Sequence, residues 1–371
     1  MRHVLDDSKQ LISDLWLDQP DAHARIEQRV RDGGVSAADG ERLRHFADEG
    51  YLMLPLGFGP DLSEAFEADI TELWRSRPFD LSISGKSVDH VSFRDFPDEE
   101  RVDGYRIQNL HSHSPTAREL YLHPEIFRMV ELIFDQAAVA FQSIYFEHGS
   151  EQPLHRDPMF VPAQPPSHLV AAWIALEDIS PVCGPLLYVP GSHLMPWFEF
   201  DDDTVKAEGE DASKRREWQR HRDQMISELG LEPKPFTCKR GDVFIWHAGL
   251  LHGGADVVER GSTRKSFVVH YSTAATKTWR RGSMKYRPRG SGEWRSLDTT
   301  TDRLLVEHGG RGLDSPLRSV VEPTPGTEPR PDPGGRSGAG PAEARPNASL
   351  ARRGIRRIRR LVGRGSGSPP S

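Results

Sequence analysis

The stretch Pro153-Leu154-His155-Arg156-Asp157 decides how the rest of this chain is interpreted. A histidine and a carboxylate two residues apart on an extended segment point to the same face, because side chains alternate along a strand. This pair can therefore offer one imidazole nitrogen and one carboxylate oxygen to a single metal ion. A His-x-Asp pair is weak evidence by itself, since a solvated pair on a loop gives the same pattern. A third ligand is needed.

The third ligand is expected in the distal segment Trp246–Gly254, which contains two histidines. His247 ends a turn-to-strand pattern and can face the core or support it. His252 follows two leucines and precedes a pair of glycines, which let the backbone approach a bound ion closely. We therefore favour His252 as the ligand. Two histidines and one carboxylate that leave metal positions open form the facial triad of non-haem Fe(II) oxygenases.

Arg264 begins a strand-like stretch twelve residues after His252. A buried arginine needs a carboxylate partner, because an unpaired buried charge is very costly. Its planar fork suits the far carboxylate of a dicarboxylate such as 2-oxoglutarate, whose keto-acid end can chelate iron. Ser266 lies on the same strand face and would be a supporting donor. Taken alone, Arg264 is better explained as an edge arginine in water, but together with the His-x-Asp pair and His252 in order it favours a carboxylate ligand.

The spacing of apolar residues predicts a mostly β protein with flanking helices. Short strands separated by glycine and proline turns are typical of a sandwich or barrel. The predicted strands cover residues 51–55, 139–146, 168–176, 186–189, 235–238, 243–246 and 265–272. The predicted helices cover about residues 5–31, 36–49, 62–75, 124–134 and 213–229.

Two further segments are candidates for the walls of a binding site. Residues 79–115 are too long for an ordinary connection, and such loops are often lids or walls. Their two histidines, His111 and His113, are expected to face water. The charged insertion at residues 198–230 could cover the mouth of the barrel, but we favour a solvated elaboration.

Together these motifs resemble the phytanoyl-CoA dioxygenase family over roughly residues 38–275. The resemblance is most specific in the block from Gly184 to His193 and in the segment from Gly241 through Gly253. The Trp173–Asp178 stretch and the start at Gly50 also fit the family pattern.

The resemblance implies a double-stranded β-helix, also called a jelly roll or cupin-like fold, that uses Fe(II), 2-oxoglutarate and O2. It implies that iron is held by His155, Asp157 and His252 and that 2-oxoglutarate is held by Arg264, Ser266, Trp173 and Gln142. The implied activity is hydroxylation of a small-molecule or secondary-metabolite substrate with release of succinate and CO2. Related halogenases replace the carboxylate ligand with a small residue, so Asp157 favours hydroxylation.

Two other classes of function stay open at this point. Two histidines and a carboxylate also suit catalytic zinc, although a zinc hydrolase would leave Arg264 unexplained and has no evident general base. A jelly-roll binding protein without catalysis is the other alternative. Family members act on acyl thioesters, amino acids and secondary metabolites, so the resemblance does not name the substrate.

The composition divides the chain into an acidic body and a basic tail. The formal charge is −7; from Arg318 onward eleven arginines face four acids, a net of +7, which leaves −14 for the rest. An acidic body argues against nucleic acid as the partner of the folded domain. We expect an N-terminal helical extension at 1–35, an oxygenase domain at 36–315 and a disordered Pro/Gly/Arg-rich tail at 316–371.

The residue pattern of the tail and the number of cysteines indicate where the protein is located. Paired arginines interleaved with aliphatic residues near the end of the tail could fold on an anionic membrane surface or on a protein partner. The sequence has no apolar run of roughly 18 residues and no apolar segment typical of a secretory signal. With only two cysteines, reduced thiols in the cytoplasm are the expectation.

Overall fold

The computed structural model describes residues 13, 15–161, 163–198, 200, 212–273, 276–278, 283–286 and 295–298. The predicted basic tail, the first part of the predicted N-terminal helix and residues 201–211 of the insertion lie outside this part of the chain. The described residues all belong to one compact unit, residues 1–323. No described helix is long and apolar enough to cross a membrane.

Six helices and fifteen strands are found in the described part of the chain. The helices are α1 Ala22–Arg31, α2 Ala37–Glu49, α3 Pro60–Ser76, α4 Pro115–Tyr121, α5 Pro124–Phe134 and α6 Ala212–Glu228. The strands are β1 Tyr51–Pro55, β2 Ser82–Ser84, β3 Val91–Ser92, β4 Arg106–Gln108, β5 Ala138–Phe146, β6 Ala163–Gln164, β7 Val170–Ala175, β8 Leu186–Tyr188, β9 Lys234–Phe236, β10 Asp242–His247, β11 His252–Gly254, β12 Ser266–Thr273, β13 Lys277–Thr278, β14 Ser283–Tyr286 and β15 Arg295–Asp298.

Eleven of these strands form the two antiparallel sheets of a double-stranded β-helix, and the other four form two separate pairs, β6 with β13 and β14 with β15. The large sheet has the order β1-β10-β7-β12-β5-β4-β2-β3, and the small sheet has the order β11-β8-β9. All strand pairs within these sheets are antiparallel, and neighbours in space are often distant in sequence, as β12 with both β5 and β7. This is the predicted jelly roll.

Strand β7 explains how one sheet serves two cores. All six of its residues are buried. Ala171, Trp173 and Ala175 belong to an apolar cluster shared with the small sheet, whereas Ala172 and Ile174 belong to a cluster shared with the helices. Because side chains alternate along a strand, the same strand contacts the helices on one face and the interior of the jelly roll on the other.

Local signals in the sequence predicted most of these elements correctly. The Ser36 side chain accepts a hydrogen bond from the Asp39 backbone and begins α2, and Gly50 ends it with a left-handed φ of 80°. Pro124 opens α5, as predicted. The described part of residues 13–35 packs into the same core as the sheet through Leu15–Leu17 and Ile26.

The long segment 79–115 is more regular than predicted. It forms β2, β3 and β4, which extend the large sheet beyond β5. The expectation that its histidines face water is wrong for His111. That ring is buried, lies 2.7 Å from the Ser143 hydroxyl and stacks on Tyr121. Pairing with a strand distant in sequence stabilises this segment, and no local pattern reports such pairing.

Candidate active site

Two histidines are brought side by side by paired backbones. His155 and His252 exchange both backbone hydrogen bonds, at 2.9 and 3.0 Å, as an isolated antiparallel bridge. Their ring centroids lie 4.4 Å apart. Gly253 allows this backbone pairing, but not by letting the backbone approach an ion, as the sequence predicted. A Cβ on Gly253 would lie 2.5 Å from the Gln152 carbonyl oxygen, so the close approach is to the facing segment rather than to an ion.

The hydrogen bonds of both rings leave the same nitrogen available. Nδ1 of His155 lies 2.9 Å from the Pro153 carbonyl oxygen, and Nδ1 of His252 lies 3.0 Å from that of Leu250. Each Nδ1–H donates to the carbonyl two residues earlier, which fixes the tautomer and leaves Nε2 as the lone-pair nitrogen. Metal-binding histidines are commonly oriented by such a hydrogen bond.

Asp157 completes a buried group of possible metal ligands. One ligand atom from each of His155, Asp157 and His252 lies within 4.8 Å of the others, and all three side chains are buried. Oδ2 of Asp157 accepts a hydrogen bond from the Trp246 indole at 2.8 Å. Oδ1 lies 3.3 Å from Nε2 of His252. Oδ1 is therefore the oxygen that faces the histidines, and Oδ2 is held from behind.

The electrostatics of this group fit a cation. Burial lowers the pKa of His155 to about 3, helped by the charge of His252. For His252 and Asp157, burial favours the neutral form of each group, but the attraction between the two groups shifts both pKa values toward the charged forms. The pKa of His252 is raised by Asp157, and the pKa of Asp157 is held well below its usual range by His252. A divalent ion would take the place of the proton on His252 and would lie between two neutral imidazoles and one carboxylate.

Arg264 supplies a buried positive charge that has no carboxylate partner among the described residues. The residue is 2% exposed, its Nε makes no hydrogen bond, and it forms no ion pair with any carboxylate of the described residues. Its guanidinium lies 5.3 Å from the ring of Phe146 and 5.8 Å from that of Trp173. Burial lowers its pKa to about 10, so the group is still charged near neutral pH. An exogenous anion would satisfy it.

The other residues predicted for the cosubstrate lie around Arg264. Ser266, the first residue of β12, is buried, and its hydroxyl makes no hydrogen bond to the described residues. The Trp173 indole nitrogen and the Gln142 Oε1 atom are also buried without a partner in the described part of the chain. A cavity of about 740 Å³ contains Gln142, Trp173, Arg264 and the three possible metal ligands in its lining. So many unsatisfied polar atoms in one cavity indicate a polar ligand.

Arg156 lies between His155 and Asp157 in the sequence and anchors the loop that carries them. Arg156 points away from the cavity, is 2% exposed, and donates to the carbonyl oxygens of Ser192, Met195 and Pro196 at 2.9–3.1 Å. Burial lowers its pKa to about 9. The Gly191–Ser192 turn thus holds the loop, and His193 lies outside the metal group.

The insertion packs against the loop that carries the ligands. Trp218 of α6 is buried in an apolar cluster with Met159 and Met195. Arg222 of the same helix donates to the Leu154 carbonyl oxygen at 3.0 Å, and Arg215 reaches the cavity lining. The expectation of a merely solvated elaboration is therefore wrong for this face of the helix.

His247 lies in a separate buried cluster. Its Nε2 is 3.2 Å from Asp18 Oδ2, and its Nδ1 accepts a hydrogen bond from the Gly249 backbone at 2.9 Å. The His193 ring lies 5.3 Å away. The structure thus brings His252, and not His247, to the cavity.

Sequence reasoning overlooked His270, a buried polar residue of the cavity. It follows Ser266 and Val268 on the same face of β12, and its Nε2 lies 3.6 Å from Asp157 Oδ1. The period-of-two pattern of the strand contained this signal. It was overlooked because an isolated histidine in an apolar strand more often lies in the core.

The fold and site define the class of this protein: a cupin-like jelly roll with a buried two-histidine, one-carboxylate group in its cavity. The family model for phytanoyl-CoA dioxygenase (PhyH) matches residues 46–265. The chain belongs to this family.

The similar curated proteins include two mammalian members. The chain is 25% identical over 185 residues to the mouse phytanoyl-CoA dioxygenase domain-containing protein 1, covering 47% of this chain and 58% of that protein. It is 24% identical over 244 residues to the rat peroxisomal phytanoyl-CoA dioxygenase, covering 64% of this chain and 69% of that protein. The chain thus spans little more than half the length of the mouse relative.

Two similar solved structures have low sequence identity to this chain. One is the non-heme alpha ketoglutarate dependent carbocyclase SnoK from nogalamycin biosynthesis, with 22% identity, a TM-score of 0.49, and coverage of 69% of this chain and 88% of that chain. Another is EctD from S. alaskensis with bound Fe, with 17% identity, a TM-score of 0.47, and coverage of 65% and 78%. At these values the fold assignment rests on the sheet topology of the chain itself.

Proposed function

We propose that this chain is a non-haem Fe(II)- and 2-oxoglutarate-dependent dioxygenase that hydroxylates a small molecule. One observation carries the proposal: Arg264, a buried arginine that pairs with no carboxylate of the described residues, lies in the same cavity as a convergent His155–Asp157–His252 group. Family membership supports the assignment. A zinc hydrolase would use the three ligands but would leave the buried charge of Arg264 unpaired.

The residues present fit both partners of the reaction. Nε2 of His155, Nε2 of His252 and Oδ1 of Asp157 would hold iron on one side and leave its other positions open. Arg264 would bind the distal carboxylate of 2-oxoglutarate, with the Ser266 hydroxyl as a second donor. When bound, iron and 2-oxoglutarate supply the oxidising chemistry, in which O2 is consumed, succinate and CO2 are released, and a C–H bond of the substrate is hydroxylated.

The protein itself contributes orientation and exclusion of water. Trp246 holds the rear oxygen of Asp157, and the carbonyls of Pro153 and Leu250 hold the two imidazoles, so the ligand geometry exists before the ion binds. Burial of Arg264 strengthens its attraction to a carboxylate, because the surrounding dielectric is low. The aromatic rings of Phe146 and Trp173 lie beside the Arg264 guanidinium and line the same cavity.

The experiment is succinate release from 2-oxoglutarate by Fe(II)-loaded protein across candidate substrates. His155→Ala and Asp157→Ala should reduce succinate release to background while the circular dichroism spectrum is retained. His23→Ala is the matched control, because this exposed histidine pairs with Asp48 away from the cavity. Hydrolysis by zinc-loaded protein without 2-oxoglutarate turnover would instead favour the hydrolase, and tight iron binding without succinate would favour the binding protein.

The substrate is proposed only as a small molecule, and the folded domain is proposed not to bind nucleic acid. A cytoplasmic location is also proposed, supported by the two cysteines, Cys183 and Cys238, both of which are free. Contact of the basic tail with a membrane or a protein stays a prediction, since residues 316–371 lie outside the described part of the chain.

A further inference from the structure

His270 is a buried polar residue that the site described above does not use. Its side chain is 2% exposed, and neither ring nitrogen has a hydrogen-bond partner among the described residues. A neutral imidazole has one donor and one acceptor, and leaving both unsatisfied in the interior is costly. Because the ring lines the cavity, a bound molecule is the available partner.

The position of the ring places it at the metal end of the cavity. Nε2 of His270 lies 3.6 Å from Oδ1 of Asp157, the oxygen that also lies 3.3 Å from His252. The distance of 3.6 Å is too long for a hydrogen bond, so His270 does not itself donate to the Asp157 carboxylate. The ring therefore faces the space next to the ligand group.

The order of residues along β12 relates this ring to Arg264. Arg264 lies two residues before β12, and Arg264, Val268 and His270 line the cavity. At the usual rise of a strand, an extended backbone would separate the α-carbons of Arg264 and His270 by about 20 Å. An inward-leaning arginine side chain and a five-carbon dicarboxylate together can bridge that span. Gln142 is the register partner of His270 on β5, and a register shift follows His270. Such bulges often aim side chains near active sites.

We propose that His270 is a further cosubstrate-binding residue, which donates its Nε2–H to the carboxylate at the keto-acid end of 2-oxoglutarate. Arg264 binds the opposite end, so the two ends are recognised from one segment of the chain, residues 264–270. This inference rests on the proposed function. Loss of a hydrogen bond to a buried carboxylate corresponds to an affinity change of about 10- to 100-fold.

The test is equilibrium binding to Fe(II)-loaded full-length protein without oxygen. Binding of 2-oxoglutarate is followed by its visible charge-transfer absorbance, and binding of the metal alone is followed by calorimetry. His270→Phe should raise the Kd for 2-oxoglutarate about 10- to 100-fold and leave the metal affinity within about twofold. His270→Gln, whose amide nitrogen can replace Nε2, should recover part of the loss. His270→Ala gives the same expectation if the phenylalanine variant does not fold.

A shorter ligand separates the two ends of the cosubstrate. The probe is 2-oxobutyrate, which has the keto-acid end without the distal carboxylate. His270→Phe should weaken both ligands by a similar factor, whereas Arg264→Gln should weaken 2-oxoglutarate alone. Unchanged affinity of the folded His270 variants for both ligands would overturn the inference, as would a loss of metal affinity without cosubstrate. A wild-type protein that binds metal but not 2-oxoglutarate would instead overturn the proposed function.

Discussion

Trp246→Phe is the substitution whose effect on the metal site follows most directly from the structure. The indole N–H donates to Oδ2 of Asp157 at 2.8 Å, and the indole ring also packs 4.8 Å from the His252 ring. Phenylalanine keeps an aromatic ring and removes the donor. A hydrogen bond to a charged acceptor contributes about 1.5–3 kcal/mol, and loss of such an orienting group lowers metal affinity about 10- to 100-fold. Anaerobic calorimetric titration with Fe(II) or Mn(II) measures this change.

Trp74→Phe is the matched control for that experiment. The Trp74 indole donates to the Tyr105 hydroxyl at 3.0 Å in the helix-side core, remote from the metal group. This variant should lose about 1 kcal/mol of unfolding free energy and keep its metal affinity. If Trp246→Phe keeps its metal affinity within twofold while remaining folded, the indole does not orient Asp157 and the reasoning fails.

Three further results are expected. His252→Ala should abolish metal binding, whereas His247→Ala should keep it at a cost in stability; calorimetry that gives the reverse would contradict the ligand choice. Burial by itself would raise the pKa of Asp18, but the attraction of His247 and His193 and the hydrogen bonds of His247 and Ser13 together lower this pKa to about 2 from 3.8. Its ion therefore stabilises the fold above pH about 4, and this contribution is lost as the pH falls toward 2. Asp18→Asn should lower the unfolding free energy by about 2 kcal/mol at pH 6 and by much less near pH 2 in urea titrations; a pH-independent difference would refute this. Gly253→Ala should weaken metal binding by displacing the facing segment, whereas Gly34→Ala, with ordinary contacts only, should not.

Local chemistry in the sequence predicted those parts of the molecule that local interactions determine. The capping serine at position 36, the proline that opens α5 and the alternation of β7 each depend on residues close in sequence. The converging residues of the site were proposed from motif spacing and family resemblance. The structure brings His155, Asp157 and His252 together, although the spacing alone gives no distance between the loop and β11.

Other features depend on partners that no local pattern reveals. Segment 79–115 forms strands because it pairs with β5, and His111 is buried because that pairing brings Ser143 to its ring. His270 has the same alternation as Arg264, but only the cavity distinguishes a ligand-facing histidine from a core histidine. The role of the glycine after His252 was also misjudged, since its contact is with a facing backbone.

The hydrogen bond from Arg222 to the Leu154 carbonyl has a consequence for protein engineering. It ties the insertion helix to the backbone one residue before the first histidine of the metal group. A deletion or graft that exchanges this insertion to alter substrate preference would therefore also remove a support of the metal loop. Designs that keep the helix segment from Trp218 to Leu229 and vary only the preceding charged residues should separate specificity from metal retention.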